Sequence, residues 1–191
     1  MIYAIINTDY IVIILHFLSV FFVNFGLIFI VVVNMIILES TIVFSVKRQN
    51  RYILFYGIIL FIGMLILIIY PFEGVTMHSS GYLKWNPYFF IYLFSIVNFL
   101  AIIPIFYTSF KIYSKFETKE LKRKWFYYLI GSLGLVIFNL YPVDILNLLT
   151  YIMEENQGFL DILRSLISIL GITVILWVSL MYYGIGSKLK K

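Results

Sequence analysis

The chain has 191 residues, of which 63% are hydrophobic and 12% are charged, and it contains no cysteine. This composition excludes a soluble globular domain, a disordered chain and a disulfide-stabilised scaffold. The formal net charge of +5 does not indicate nucleic-acid binding in so apolar a chain, and we predict an integral membrane protein without a nucleic-acid partner.

Five long stretches without a charged residue indicate the transmembrane helices. Each stretch is long enough for a helix, which rises about 1.5 Å per residue, to cross a hydrocarbon layer of about 30 Å. We therefore predict an all-α polytopic transmembrane helical bundle that forms a single domain over residues 1–191, with a retained first span. The predicted spans are span 1 (residues 10–38), span 2 (52–72), span 3 (87–110), span 4 (125–149) and span 5 (164–186).

The basic residues are distributed unevenly between the connections. Of the 14 Lys and Arg, all except Lys84 and Arg164 lie on one side of the predicted bundle. Connections rich in Lys and Arg are retained in the cytoplasm during membrane insertion. The sequence thus predicts a multi-pass protein of the cell membrane, with its N-terminus outside and its C-terminus in the cytoplasm.

Span 1 carries an unusual number of small and polar residues for a membrane helix. At about 100° per residue these side chains share one face, which should look into the bundle because an unpaired polar group is costly in hydrocarbon. The face serves either as hydrogen-bonding contact between helices or as the wall of a solute-lined cavity. Its residues are His16, Ser19, Asn24, Gly26 and Asn34.

The outer connection between spans 2 and 3 alternates loosely around Ser80 and Gly81. This alternation predicts a short hairpin or lid over residues 75–85. The side chains expected to cover the outer mouth of the bundle are Met77, Tyr82, Leu83 and Trp85.

Span 3 carries Ser95 and Asn98 on one face, and Pro104 is expected to kink its inner part. The inner loop that follows, residues 111–124, is rich in basic residues. It is expected either to contact anionic lipid headgroups or a partner, or to act only as a topology signal. The predicted contact residues are Lys115, Lys119, Lys122, Arg123 and Lys124.

Span 4 allows two interpretations of Asp144. If the helix continues to Glu154, Asp144 lies about 7.5 Å from the bilayer centre, where a carboxyl group requires a partner or a wet site. If the helix ends near Pro142, Asp144 is an interfacial residue just past the span.

His16 lies in the same outer half of the bundle as Asp144 and is predicted to pair with it. Together with other polar residues of spans 1, 3 and 4, the two outline an outward-facing polar pocket for a ligand. The predicted pocket residues are His16, Asn24, Ser95, Asn98, Asn139, Asp144 and Asn147.

Small residues in spans 4 and 5 predict close helix packing, since they allow two backbones to approach each other. They form one group in each span: Gly131, Ser132 and Gly134 in span 4, and Ser165, Ser168 and Gly171 in span 5.

The middle of the chain carries a familiar pattern: Trp85, Asn86 and Pro87, then the span with Pro104, the basic residues 111–124 and the start of span 4 at residues 125–134. It resembles the N-terminal multi-span sensor region of prokaryotic histidine kinases with seven transmembrane helices. That resemblance implies a sensory arrangement with the N-terminus outside and the C-terminus inside. The chain departs from the family in its five spans and in lacking, after Lys191, a dimerisation helix, a phospho-accepting histidine and an ATP-binding domain, so no kinase activity is implied.

The sequence contains no glycine-rich phosphate-binding loop or other motif of soluble enzymes, and neither His16 nor His78 lies in a metal-binding cluster. We predict no enzyme activity, metal or cofactor. The predicted function is that of a sensory or regulatory membrane module, which acts through a membrane or cytoplasmic protein partner or as a homo-oligomer. A subunit for transport of a small solute or ion, and an accessory scaffold subunit of a membrane complex, are the alternatives.

Overall fold

The computed structural model describes residues 8–69, 72–77 and 81–186. Within this part of the chain, five helices are long and apolar enough to cross a membrane: Ile11–Glu39, Val46–Ile68, Pro87–Lys115, Lys119–Ile152 and Gln157–Ile185. The predicted all-α fold is confirmed, and the five predicted spans each correspond to one of these long apolar helices. The orientation of the termini stays a prediction, and the basic tail of Lys188, Lys190 and Lys191 lies outside the described residues.

Several helices begin earlier in the chain than the predicted spans. The helix of span 2 starts at Val46 and that of span 4 at Lys119, so both include basic residues in their first turns. Lys, Arg and Gln are good helix formers, and Thr118 caps the second of these helices by accepting a hydrogen bond from the N–H of Leu121 at 3.3 Å. Charge-free stretches therefore mark the part of each helix suited to hydrocarbon, and the helix itself is longer.

The chain divides into two compact units, Met1–Ile105 and Phe106–Lys191, which are described separately. The prediction of a single transmembrane domain stays a prediction. The helices and strands described in the first unit are α1 (Thr8–Val43), α2 (Val46–Ile68), β1 (Val75–Met77), β2 (Leu83–Trp85), α3 (Pro87–Val97) and the beginning of α4 (Ile103–Lys115).

A hairpin of β1 and β2 joins α2 to α3, as the alternation in the sequence predicts. The strands are antiparallel, and Val75 faces Trp85 across the ladder. Gly81, with φ +83°, provides a left-handed turn residue, and residues 78–80, including His78, lie outside the described part. Trp85 is fully buried, and the expectation that it covers the outer mouth of the bundle stays a prediction.

The core of the first unit is mainly aliphatic, and several aromatic rings of α1 and α2 contact each other beside it. Phe17 and Phe21 of α1 pack edge-on against Phe61 of α2, at centroid distances of 5.3 and 5.2 Å. The buried Tyr56 stacks on Phe25 and donates a hydrogen bond of 3.0 Å to the carbonyl of Asn24. Because lipid is as apolar as these side chains, ring packing and hydrogen bonds between helices hold the unit together.

A polar contact joins the C-terminal end of α1 to the N-terminal end of α2. Arg48 forms an ion pair of 2.8 Å with Glu39, and its guanidinium lies 5.3 Å from the centre of the Phe44 ring. Gln49 donates a hydrogen bond of 2.8 Å to the Phe44 carbonyl. These contacts define the turn between the two helices.

Span 3 contains a π-helical segment, Asn98–Ile102, just before Pro104. In this segment the N–H of Ile103 donates a hydrogen bond to the carbonyl of Asn98. A proline in an α-helix lacks an N–H and its ring collides with the carbonyl four residues earlier. The wider π turn relieves this collision, so the helix continues to Lys115.

Span 4 likewise contains a π-helical segment just before its proline, Pro142. Its π-helical segment, Val136–Leu140, also ends two residues before the proline, and the N–H of Tyr141 donates to the carbonyl of Val136. The helix continues beyond the proline to Ile152.

The helices of the second unit are the rest of α4, then α5 (Lys119–Leu135), α6 (Tyr141–Ile152), α7 (Gln157–Ile172) and α8 (Val174–Gly186). α5 packs on α8, and α6 packs on α7. Span 5 is divided at Thr173, whose hydroxyl donates a hydrogen bond of 2.6 Å to the carbonyl of Leu170. Competition of a threonine side chain for a backbone carbonyl is a known cause of a helix bend.

Glycines bring α5 and α8 into close contact. A Cβ atom added to Gly131 would lie 2.6 Å from the carbonyl oxygen of Trp177, and one added to Gly134 would collide with the indole ring of the same residue. On α8, a Cβ atom at Gly184 would lie 2.7 Å from the Lys124 carbonyl oxygen. The prediction that Gly131 and Gly134 serve packing is confirmed, and Gly184 is a further member that the sequence did not single out.

The small residues of span 5 do not pack as expected. Ser165, Ser168 and Gly171 are exposed, and nothing lies within 4 Å of a Cβ atom built at Gly171. The less exposed side of α7 is formed by larger apolar residues at helical spacing: Leu160, Leu163, Ile167 and Leu170. A row of large side chains therefore faces inward, and the small ones face away from the packed side.

Candidate functional site

The most specific polar contact of the first unit joins the outer hairpin to α1. The indole Nε1–H of Trp85 donates a hydrogen bond of 2.8 Å to Nε2 of His16, and the two ring centroids are 5.7 Å apart. An indole nitrogen can only donate, so Nε2 of His16 must be the acceptor and its ring proton must sit on Nδ1. The contact therefore requires an unprotonated Nε2 on His16.

Contacts at the end of the hairpin hold the Trp85 side chain in the interior of the first unit. Asn86 accepts a hydrogen bond of 2.9 Å from the N–H of Phe89 and so caps α3, while its amide donates to the Phe72 carbonyl at 2.6 Å. Pro87 in the first turn starts the helix, and the ring of Trp85 packs edge-on against Phe89 at 5.1 Å. Sequence analysis missed Trp85 as the partner of His16, although a buried indole N–H at the outer end of a span is a signal that an acceptor is needed.

The two asparagines of span 1 lie on its buried side. The Asn34 amide donates a hydrogen bond of 3.1 Å to the Ile105 carbonyl, which joins α1 to span 3. The Asn24 amide donates to Val20 of its own helix at 2.9 Å, and its side-chain oxygen is buried without a hydrogen-bond donor among the described residues. Asn34 thus fits the interpretation as contact between helices, and Asn24 keeps an acceptor available.

Ser19 and Gly26 do not share this face, contrary to the prediction. Both are exposed, while the buried side of α1 follows Phe17, Asn24 and Ile28. In a helix with so many apolar residues, large side chains at helical spacing decide which face is buried, and a serine or glycine can face lipid at little cost.

The polar residues of span 3 do not join His16. Asn98 donates a hydrogen bond of 2.7 Å to the carbonyl of Phe94 in its own helix, and Ser95 is half-buried. Asn98 is eleven residues beyond the start of α3, so it lies about 17 Å farther along the helix axis than the Trp85 corner that holds His16. The expectation that His16 and Asn98 meet at one depth is therefore wrong.

In the second unit, Asp144 is 7% exposed and lies within a helix that continues to Ile152. The helix therefore does not end near Pro142, while the position of Asp144 relative to the membrane interface stays a prediction. Asp144 forms no hydrogen bond or ion pair with a described residue. Both amide atoms of Asn139 are likewise buried without a described partner, and Asn147 is half-buried. The pairing of Asp144 with His16 stays a prediction.

The basic residues of the inner loop fall into two groups. Lys124 is almost fully buried and pairs with Glu120 at 3.2 Å, and Lys115 lies in the last turn of α4. Lys119, Lys122 and Arg123 line a shallow cleft together with Tyr113 and Phe126. The structure therefore divides a group that the sequence treats as one.

The described residues contain no group of three or more His, Cys, Asp or Glu side chains that could hold a metal ion. No protein-family model, curated protein or solved structure matches the chain.

Proposed function

We propose that the protein is a non-enzymatic sensory or regulatory module of the cell membrane, with its N-terminus outside and its C-terminus in the cytoplasm. The observation that carries the proposal is the hydrogen bond between Trp85 and His16, because it ties a segment outside the apolar helices to the interior of a span. A ligand that displaces the hairpin, or enters beside it, would have to break this contact.

A mechanical path for the signal is available within the first unit. α1 is one uninterrupted helix, and the 23 residues from His16 to Glu39 correspond to about 35 Å of helix. At its inner end, Glu39 holds Arg48 of α2. A rotation or shift of α1 caused at His16 would therefore alter the turn between α1 and α2 on the cytoplasmic side.

The proposed ligand pocket opens to the outside and includes His16 and Asn24 of the first unit. The second unit is proposed to hold a separate polar group of its own, Asn139, Asp144 and Asn147, in which both amide atoms of Asn139 are buried without a described partner and Asp144 is 7% exposed. Asn98 is left out of the pocket because it lies deeper along span 3, whereas Ser95, eight residues past Pro87, stays a proposed member. The module is proposed to act by contact with a protein partner or a second copy.

A spin-label experiment tests the coupling between the two ends. The chain has no cysteine, so Lys47→Cys places a single label at the inner turn of the full-length protein in lipid nanodiscs. Trp85→Phe removes the donor to His16 and should change the label's mobility, whereas the control Trp177→Phe alters an indole of the second unit. An unchanged spectrum in Trp85→Phe would contradict a sensory relay through α1.

Orientation is tested in the same cysteine-free background. Single cysteines at the exposed positions Glu155 and Thr118 should differ in intact cells, with Glu155→Cys reacting with a membrane-impermeant thiol reagent and Thr118→Cys remaining protected. The reverse pattern would contradict the proposed orientation.

Two observations favour the alternatives. Asp144 is an ionisable group buried in a span without a described partner, which is typical of solute and proton pathways, and favours a transport or channel subunit. The amide of Asn34 is used in a helix contact, which favours an accessory scaffold subunit. Solute flux in proteoliposomes that disappears in Asp144→Asn would support transport. A scaffold would show neither flux nor a response of the Lys47→Cys label.

A further inference from the structure

A shallow cleft of about 310 Å³ lies in the second unit, where α4 ends and α5 begins. Tyr113 of α4 forms one wall, and the remaining lining residues belong to α5: Lys119, Lys122, Arg123 and Phe126. Three of these five side chains are cationic and none is acidic. The nearby Glu120 is directed to Lys124 and does not line the cleft.

The three cations are presented together by the geometry of α5. Lys119, Lys122 and Arg123 are spaced at i, i+3 and i+4, so they project from one face of the helix. They also lie in its first turns, where free N–H groups and the helix dipole add to the positive potential. The ammonium group of Lys122 lies 5.9 Å from the centre of the Tyr113 ring, which fixes its position at the edge of the cleft.

The aromatic walls show what kind of anion fits. Phe126 is 49% exposed beside the cations, and the sequence changes from charged to apolar at Trp125, the next residue after Lys124. The cleft thus lies where the helix enters the apolar part of span 4, and it offers cationic and aromatic surface side by side. A free phosphate ion would use only the cations, whereas a phospholipid would use both.

We propose that this cleft binds the phosphate of an anionic phospholipid headgroup. Lys119, Lys122 and Arg123 surround the phosphate, and the first acyl carbons lie against Phe126. Lys124 takes no part because its side chain is buried and pairs with the exposed Glu120, and Lys115 does not line the cleft. The proposal is independent of the sensory function, since it concerns how the second unit is held at the membrane surface.

Native mass spectrometry of the detergent-purified full-length protein can measure the binding. The probes are palmitoyl-oleoyl phosphatidylglycerol and the zwitterionic phosphatidylcholine with the same chains, supplied at equal concentration. The test variant replaces Lys119, Lys122 and Arg123 with Gln. The control variant Lys47→Gln, Lys111→Gln, Lys115→Gln removes the same amount of charge outside the cleft.

We expect the wild type and the control to retain phosphatidylglycerol in preference to phosphatidylcholine. The test variant should lose this preference by a factor on the order of 100, because each basic residue near an anionic surface contributes a factor of about five. Phe126→Ala should weaken retention of phosphatidylglycerol without changing that of phosphatidylcholine. Circular dichroism and thermal unfolding establish that the variants are folded.

Three results would overturn the proposal. Equal losses in the test and control variants would show that only net charge matters. Displacement of phosphatidylglycerol by millimolar inorganic phosphate would identify the cleft as a site for the free ion. A wild type that retains both lipids equally, at both 50 and 500 mM salt, would mean that the cleft has no headgroup specificity.

Discussion

The two units share both kinds of helix contact, since Gly63 of α2 packs against Tyr92 and Trp125 of α5 donates a hydrogen bond to the Ser109 carbonyl, but their main helix contacts differ. In the first unit, rings and hydrogen bonds from side chains to backbone cross between helices, as with Tyr56 and the Asn24 carbonyl or Tyr92 and the Ile59 carbonyl. In the second unit, α5 and α8 approach closely because Gly131 and Gly184 have no side chain. A membrane helix pair can therefore be specified either by an added donor or by a missing Cβ atom.

This difference determines which substitutions are harmful. Where a glycine touches backbone, the neighbour cannot move aside, and one added methyl group separates the helices. Where a hydrogen bond joins the helices, a substitution of the same shape removes one interaction and leaves the packing intact. The effects should thus be larger in the second unit than in the first.

The largest effect is expected for Gly131→Ala, since its Cβ atom would lie 2.6 Å from the Trp177 carbonyl oxygen. We expect a loss of unfolding free energy of about 3 kcal/mol, at the upper end of the cost of overpacking. Unfolding in bicelles, followed by circular dichroism, measures it. Gly171→Ala is the matched control in the same unit and should be neutral or slightly stabilising. Equal effects at the two glycines would mean that α5 and α8 are not in close contact.

Trp85→Phe should have the next largest effect. It keeps most of the ring packing against Phe89 and leaves Nε2 of His16 without its donor, which costs about 1 to 3 kcal/mol when the acceptor is buried. The same unfolding measurement applies, with the exposed Tyr88→Phe as control. If His16→Phe combined with Trp85→Phe is as unstable as Trp85→Phe alone, the loss does not come from an unpaired acceptor.

Tyr56→Phe should be milder, although Tyr56 is among the most buried residues. The Asn24 carbonyl keeps its place in the helix after the hydroxyl is lost, so no acceptor is left unpaired. We expect about 0.6 kcal/mol, the average measured for such contacts in membranes. A loss as large as that of Trp85→Phe would show that the tyrosine hydroxyl has a role beyond this bond.

The smallest effect is expected for Arg48→Gln. Its pair with Glu39 is partly exposed, with side-chain exposures of 41% and 25%, and solvent screens such a pair so that it contributes little to stability. Raising the salt concentration should reduce the difference between Arg48→Gln and wild type. A difference that persists at high salt would point to the packing of Arg48 on Phe44 and not to its charge.

Much of this fold was accessible from the sequence because membrane insertion depends on composition. Charge-free stretches predict the five helices, and the alternation around Gly81 predicts the hairpin. The buried faces were harder to predict, because the period of apolar residues carries little information in a helix that is apolar on all sides. Ser19 and Gly26 were assigned to the wrong face for this reason.

The candidate site was predicted less well than the helices. His16 and Asp144 were identified as groups that need partners, since polar atoms are rare in the spans. The partner of His16 was missed because it is an aromatic residue whose N–H is easily overlooked among hydrophobic side chains. The π-helical segments were also missed, since the sequence indicates a proline but not the turn that accommodates it.

The π-helical segment at Val136–Leu140 has a consequence for how span 4 can evolve. An extra residue in a helical turn shifts the angular phase of every later side chain by about 100° while adding almost no length. Deleting one residue there would shorten the helix only slightly. It would rotate α6 about the helix axis, so Asp144 and Thr150 would point in different directions. The number of residues near Pro142 therefore determines which side chains of α6 face α7. The packing of α5 on α8 is not affected by this number.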